Sequence, residues 1–393
     1  MAEPAIATPK VLVASFNTWH MDHTARAYER RGALAGVYAA NGNIRGVPPE
    51  LYHRCWPFHV VMKPFYHGWP ARTEWVQYHL FMGLFDGWLR RQKLPAFDAV
   101  QAIAWGAKAP FDIAERAGAL KVLDAPNSYP TTYDAYERRE LALWAPQCRP
   151  AVPAHIISQA VRDIERADVV LCPSQWVYDS MLANGVPAAK CVLNPFGVNV
   201  DLFRPRENLP ERPRFITVGN IRIRKGHQYL FRAMQAVQAR CAEAELVCVG
   251  QYHADFKRER DRWAGRFTHY PHLSHEKLAE EYRRSTAFVL PSTEEGLARV
   301  VTEAMASGLP IVATYESGAT TVVEHEQEGL IVPSRDAESL TRAMLRLIQE
   351  PELCRKLGEQ AAQRGHQKNT WQDYGDRCLA AVRARLAGRV NRR

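Results

Sequence analysis

The chain has 393 residues, 47% hydrophobic and 24% charged, which is enough for two domains with full cores. Its formal net charge of +9 leaves nucleic acid, an anionic membrane surface or a phosphorylated small substrate as partner classes. No zinc-finger spacing, aromatic ribonucleoprotein pattern or basic helix leading into heptads is present, so no nucleic acid is expected; no apolar run is long enough for a transmembrane helix.

In chain order, Lys10–Ser15 reads as a buried strand, Thr24–Arg31 as a helix and Ala35–Ala39 as a second strand. Tyr78, Phe81, Phe85 and Trp88 then recur at helical spacing ahead of Arg90, Arg91 and Lys93. That helix either faces the core or lies on anionic lipid, and the second possibility is the basis for expecting a peripheral membrane contact. Further strands are expected at Ala99–Ile103, Lys121–Asp124 and Asp168–Cys172. After the Pro-rich join at Pro205, Pro210 and Pro213 the rhythm restarts. Strands at Arg214–Val218, Glu245–Val249, Ala287–Leu290 and Pro310–Ala313 then alternate with helices over His227–Ala239 and Arg299–Ala306.

Strands alternating with helices predict an α/β protein, two Rossmann-like doubly wound parallel-sheet domains that face each other across a cleft. Ligands of such sheets bind beyond the carboxyl ends of the strands. The eight cysteines include no C-x-x-C pair, and residues Met1–Pro9 lack the regions of a signal peptide. Reduced thiols and a cytoplasmic location, at the inner face of a membrane if peripheral, are the expectation.

Two segments carry chemistry. Pro291–Pro310 runs from a strand end through a loop with Glu295 and Gly296 into a helix beginning at Arg299, with Glu303 inside it. The free N–H groups at that helix start suit a diphosphate, and carboxylates suit the vicinal hydroxyls of sugars. Val218–His227 ends a strand at Gly219 and continues through Asn220, Arg222, Arg224 and Lys225, three cations within four residues. Each has a plainer reading: acidic residues favour helix starts, and a basic loop is often just solvated.

The run from Glu295 to Glu303, followed by the EAMASGLPIVAT continuation, closely resembles the retaining glycosyltransferase family four, of the GT-B fold. Asn194–Asp201 running into Phe203-Arg204-Pro205 resembles that family's interdomain segment, and Ala167–Ser174 and Trp371–Tyr374 fit as well. The resemblance is strong from about residue 160 onward and faint before it. It implies an acceptor-side domain of residues 1–205 plus 370–393 and a nucleotide-sugar domain of residues 206–369. Lys225 would bind the diphosphate, Glu295 the donor sugar, with backbone N–H groups of Gly296, Leu297, Ala298 and Arg299 nearby, and Glu303 the ribose.

Departures from that pattern are specific. Asn220 replaces a phosphate-binding arginine, Leu297-Ala298 replaces Phe-Gly, and Asn17-Thr18-Trp19-His20 stands where a diglycine loop is common. The family's N-domain histidine is missing near Asp124–Tyr129. His20 is therefore the first-half candidate for a catalytic role, with His23, Asp124, Asn127 and Tyr129 as acceptor-side candidates. No D-x-D run occurs, so neither a metal nor another cofactor is expected. The expectation is a retaining, metal-independent transferase that moves a hexosyl group from an NDP-sugar to a glycan or lipid-linked acceptor. The alternatives are a catalytically degenerate nucleotide-binding or scaffolding homologue, or a sugar-nucleotide epimerase.

Overall fold

The computed structural model describes residues 8–16, 20–40, 44, 46–56, 74–368 and 370–390. The first half runs β1 (Val11–Ser15), α1 (Met21–Arg30), β2 (Leu34–Ala39), β3 (Tyr52–Arg54), α2 (Glu74–Leu89), β4 (Ala99–Ile103) and α3 (Lys108–Arg116). It continues with β5 (Leu120–Asp124), α4 (Pro130–Trp144), α5 (Ala154–Arg166), β6 (Val169–Cys172), α6 (Gln175–Ala183) and β7 (Cys191–Leu193). The second half begins with β8 (Arg214–Val218), α7 (His227–Gln238), β9 (Glu245–Val249), α8 (Lys257–Trp263), β10 (Thr268–Tyr270), α9 (His275–Arg283) and β11 (Ala287–Leu290). It ends with α10 (Arg299–Ala306), β12 (Ile311–Thr314), β13 (Gly329–Val332), α11 (Ala337–Gln349), α12 (Pro351–Lys368) and α13 (Trp371–Val390).

All pairings between these strands are parallel, in two sheets of order β3-β2-β1-β4-β5-β6-β7 and β10-β9-β8-β11-β12-β13. Strands such as Val11–Ser15 and Ala99–Ile103 are buried along their whole length, which is why they read as continuous apolar runs rather than as alternating ones. Each sheet reverses its winding direction once, between β1 and β4 in the first and between β8 and β11 in the second. Those reversals open a crevice at the carboxyl ends of the flanking strands.

The chain passes from one sheet to the other between Leu193 and Arg214, and it returns near Thr370, where Val198 and Thr370 form a parallel bridge. α13 then packs on α1, with Arg31 paired to Asp376 at 2.6 Å. Several elements match their expected ends, and the others differ by one to three residues, as at α1, which starts at Met21.

α2 places the second half of its aromatic stripe against the first sheet. Phe85 and Leu89 are fully buried against Leu12, Val100 and Ile103, and Trp88 packs beside Tyr38. Arg90 pairs with Asp112 at 2.7 Å. Phe85, Trp88 and Leu89 pack in the first-half core; the side chains of Tyr78 and Phe81 lie outside the described residues. Among the described residues no helix is long and apolar enough to cross a membrane.

Candidate active site

The second sheet's switch point brings the two chemistry-bearing segments together. β8 ends at Val218 and leads into a single turn over Ile223–Lys225, closed by Gly226 with φ of 72°. A side chain at Gly226 would collide with the Pro291 carbonyl oxygen, so only glycine lets this loop lie against the one that follows β11. Thr293 locks the two loops by donating through both N and Oγ1 to the Arg224 carbonyl, each at 2.9 Å.

Lys225 Nζ lies 2.9 Å from Glu295 Oε2, with Arg224 Nη1 3.6 Å from the same oxygen. Burial alone would raise the Glu295 carboxyl; Lys225 and Arg224 outweigh it and hold it at about 2. Arg224 also reaches Glu294 Oε2 at 2.8 Å and the Glu294 carbonyl at 2.5 Å. Burial raises the Glu294 carboxyl despite this partner, and the neighbouring Glu295 charge adds to the rise. Arg222 reaches Glu137 at 2.7 Å and Asp255 at 3.3 Å.

The three cations of the basic loop therefore have different surroundings. Arg222 pairs with Glu137 and Asp255, Arg224 with Glu294 and, at longer range, Glu295, and Lys225 with Glu295 at 2.9 Å. Asn220 is exposed, and Gly219, with φ of 124°, lies under the Lys225 side chain.

α10 starts directly after this loop. Its N-cap, Ala298, offers no side-chain acceptor, so the first-turn N–H groups carry no cap from that residue. Leu297 and Ala298 are buried, whereas Arg299 is exposed on the first turn. Glu303, one turn further, lies 3.5 Å from the Tyr282 hydroxyl; burial raises its carboxyl against the opposing influence of Arg299 and His275.

The first half closes over this loop. A Cβ on Gly296 would collide with the Pro126 carbonyl oxygen, and Ser174 Oγ donates to the Gly296 carbonyl at 2.5 Å. Glu294 accepts from Ser128 N at 3.2 Å and Oγ at 3.0 Å. Glu294 and Ser128 were not singled out from sequence as binding partners. The only signal available was a second carboxylate beside Glu295.

At the first sheet's carboxyl edge, His20 Nε2 lies 2.9 Å from Asp124 Oδ2. The same carboxylate oxygen accepts from Tyr374 Oη at 2.6 Å and Gln101 Nε2 at 3.1 Å. His20 also stacks at a tilt on Phe196, with centroids 4.4 Å apart. His23 stacks flat on Trp371 at 3.8 Å, and burial, with Arg26 and Arg299 adding to it, lowers its imidazole to about 3. Asn127 is half-buried beside Gly296, and Tyr129 is buried in the first-half core. Of the loop before His20, residues 17–19 lie outside the described residues, as do the terminal Arg392 and Arg393.

Two doubly wound parallel sheets whose switch-point loops meet in this way define the GT-B fold. In the second half, residues 199–364 match the family described as glycosyl transferases group 1. Over 229 residues the chain is 29% identical to sulfoquinovosyl transferase SQD2 of Arabidopsis thaliana, covering 54% of this chain and 44% of that protein. Over 336 residues it is 26% identical to a GDP-mannose-dependent alpha-(1-6)-phosphatidylinositol monomannoside mannosyltransferase of Mycobacterium tuberculosis, covering 71% of this chain and 86% of that protein. The structure of sucrose-phosphate synthase from Thermosynechococcus elongatus superposes with a TM-score of 0.74 at 19% identity, over 96% of this chain and 100% of that one.

Proposed function

We propose that the protein transfers a hexosyl group from a nucleoside-diphosphate sugar to an acceptor hydroxyl, with retention at the anomeric carbon, in glycolipid or polysaccharide assembly. The observation that carries this reading is the 2.9 Å pair of Lys225 and Glu295 beside the start of α10. It sets a cation for a diphosphate next to a carboxylate for sugar hydroxyls, at the switch point where such ligands bind.

On this reading the donor's diphosphate takes Lys225 from Glu295 and faces the first-turn N–H groups of α10, with Arg299 as a second cation. The freed Glu295 carboxylate accepts from hexose hydroxyls, and Glu303 accepts from the ribose. The bond from the anomeric carbon to the phosphate oxygen breaks and a bond to the acceptor oxygen forms on the same face. The acceptor proton passes to the departing diphosphate oxygen. Lys225, Arg299 and the helix start stabilise the leaving charge, a role the reading gives to fixed protein groups rather than to a metal ion. The contacts of Gly296 with Pro126 and Ser174 shut water out of the cleft.

The acceptor is approached from the first sheet's edge, where His20 and Asp124 stand. The name of the mannosyltransferase relative, which includes a phosphatidylinositol monomannoside, favours a lipid-borne acceptor.

The reading is tested by NMR of the product formed with UDP-glucose, GDP-mannose or ADP-glucose, with and without EDTA. A product that keeps the donor's anomeric configuration, formed equally in EDTA, is expected. Inversion, or loss of turnover in EDTA, contradicts it.

A further inference from the structure

α4 belongs to the first half, yet its buried stripe meets the second. Tyr133, Tyr136, Glu137, Glu140 and Trp144 recur at helical spacing along one face. The Arg224 guanidinium lies 5.4 Å from the Tyr133 ring centre, and Arg335 lies 5.1 Å from that of Tyr136. Glu137 takes Arg222 at 2.7 Å and the Ala151 N–H at 3.0 Å. Glu140 takes Arg335 at 2.5 Å, Gln228 at 3.1 Å and the Tyr229 hydroxyl at 3.0 Å. Trp144 meets Tyr229 edge-on, and Arg232 sits 4.3 Å above its ring.

Glu137 and Glu140 are 1% and 0% exposed, and the cations that pair with them, Arg222 and Arg335, come from the second half. Arg335 holds a left-handed φ of 64°, a strained conformation for a residue with a side chain, in the loop that delivers its guanidinium to Glu140. Buried ion pairs add little net stability over apolar packing, but they demand one geometry. A carboxylate and an aromatic ring one turn apart on α4 thus grip the first and third residues of the Arg222–Lys225 turn.

We infer that α4 is a strut by which the first half sets the shape of the second half's cation loop, with Glu137 and Tyr133 as positioning residues for Arg222 and Arg224. Lys225 ends that turn, so its ammonium is presented to the cleft by a loop shaped from the opposite half. The link to donor affinity rests on the proposed function; the link to loop conformation does not.

The test is amide hydrogen exchange of the full chain as wild type, Glu137→Gln and Tyr133→Leu, alongside calorimetric titration with UDP-glucose and GDP-mannose. Tyr133→Leu leaves no buried charge newly unpaired, so it serves where Glu137→Gln lowers global stability. Exchange of amides 219–226 is expected to quicken about tenfold in the variants, with β9 and β12 unchanged. Affinity for whichever sugar nucleotide the wild type binds is expected to fall by a similar factor. Unchanged exchange at 219–226 in both variants overturns the inference. Quickened exchange in a protein that binds neither sugar nucleotide upholds the strut and contradicts the donor site instead.

Discussion

Glu294 joins the two halves through Ser128: its Oε1 accepts from the Ser128 hydroxyl at 3.0 Å and from the Ser128 N–H at 3.2 Å, across 166 residues of sequence. Its other oxygen takes Arg224 at 2.8 Å, so one fully buried carboxylate ties a first-half loop to the cation loop. Glu294→Ala leaves the Arg224 guanidinium buried without its main partner. A loss of about 3–5 kcal/mol is expected. Ser128→Ala, which keeps the backbone donor, costs about 1 kcal/mol. Chemical denaturation of both variants checks the order, and equal losses contradict it.

At Gly296 the two halves lie so close that a Cβ would meet the Pro126 carbonyl oxygen. Gly296→Ala forces its loop off the Pro126 carbonyl, and turnover is expected to fall roughly a hundredfold as cleft geometry slips by about 1 Å. Gly83→Ala, where nothing lies within 4 Å, is the control and leaves turnover unchanged. Small-angle scattering should show Gly296→Ala more extended than the control; identical profiles with full turnover contradict the closed contact.

His227 supplies a pH dependence with a definite sign. Burial lowers its imidazole to about 4, so the folded protein keeps it neutral while the unfolded chain protonates it below its usual 6.5. The unfolded state binds more protons between those values, so stability is fully present above about 6.5 and falls as the pH drops toward 4. Going from pH 7 to pH 5 costs about 2 kcal/mol through this group. His227→Gln should flatten that part of the stability profile, measured by denaturation at each pH. A variant with the wild-type slope contradicts the assignment.

Lys225 keeps Glu295 ionised, so Lys225→Met should raise the carboxyl from about 2. The Glu295 contribution to stability is present above the ordinary carboxylate pKa and is lost as pH falls through the folded value. Raising the folded value narrows the pH window in which acid costs stability through this group, so the variant's acid loss should be smaller and should end at higher pH. A carbon-13 titration of labelled glutamate carboxyls, with Glu295→Gln to assign the signal, reads this directly. An unmoved Glu295 signal contradicts the pairing.

The sheets were legible because parallel strands buried on both faces are continuous apolar runs, and Ala99–Ile103, Arg214–Val218, Glu245–Val249 and Ala287–Leu290 match their expected ends. The family resemblance gave Lys225 and Glu295 to one donor, but the strand pattern alone did not show that they meet. The engagement of Arg222 was not legible either. Its carboxylate partners, Glu137 and Asp255, are 85 and 33 residues away, and local spacing counts cations without revealing which are already neutralised. The acidic and aromatic stripe of α4 lacks aliphatic periodicity because it faces arginines, so a search for apolar faces passes over it. In α2 the same spacing of aromatics fits lipid or core equally, and only the packing on the sheet shows that Phe85 and Leu89 are core.

The most direct test of the account is ligand-detected NMR with UDP-, GDP- and ADP-sugars on the wild type, Lys225→Ala and Glu303→Ala. The account predicts that one donor binds and that both substitutions weaken it. Binding by none of them, or binding indifferent to both substitutions, contradicts a donor site between β8 and β11.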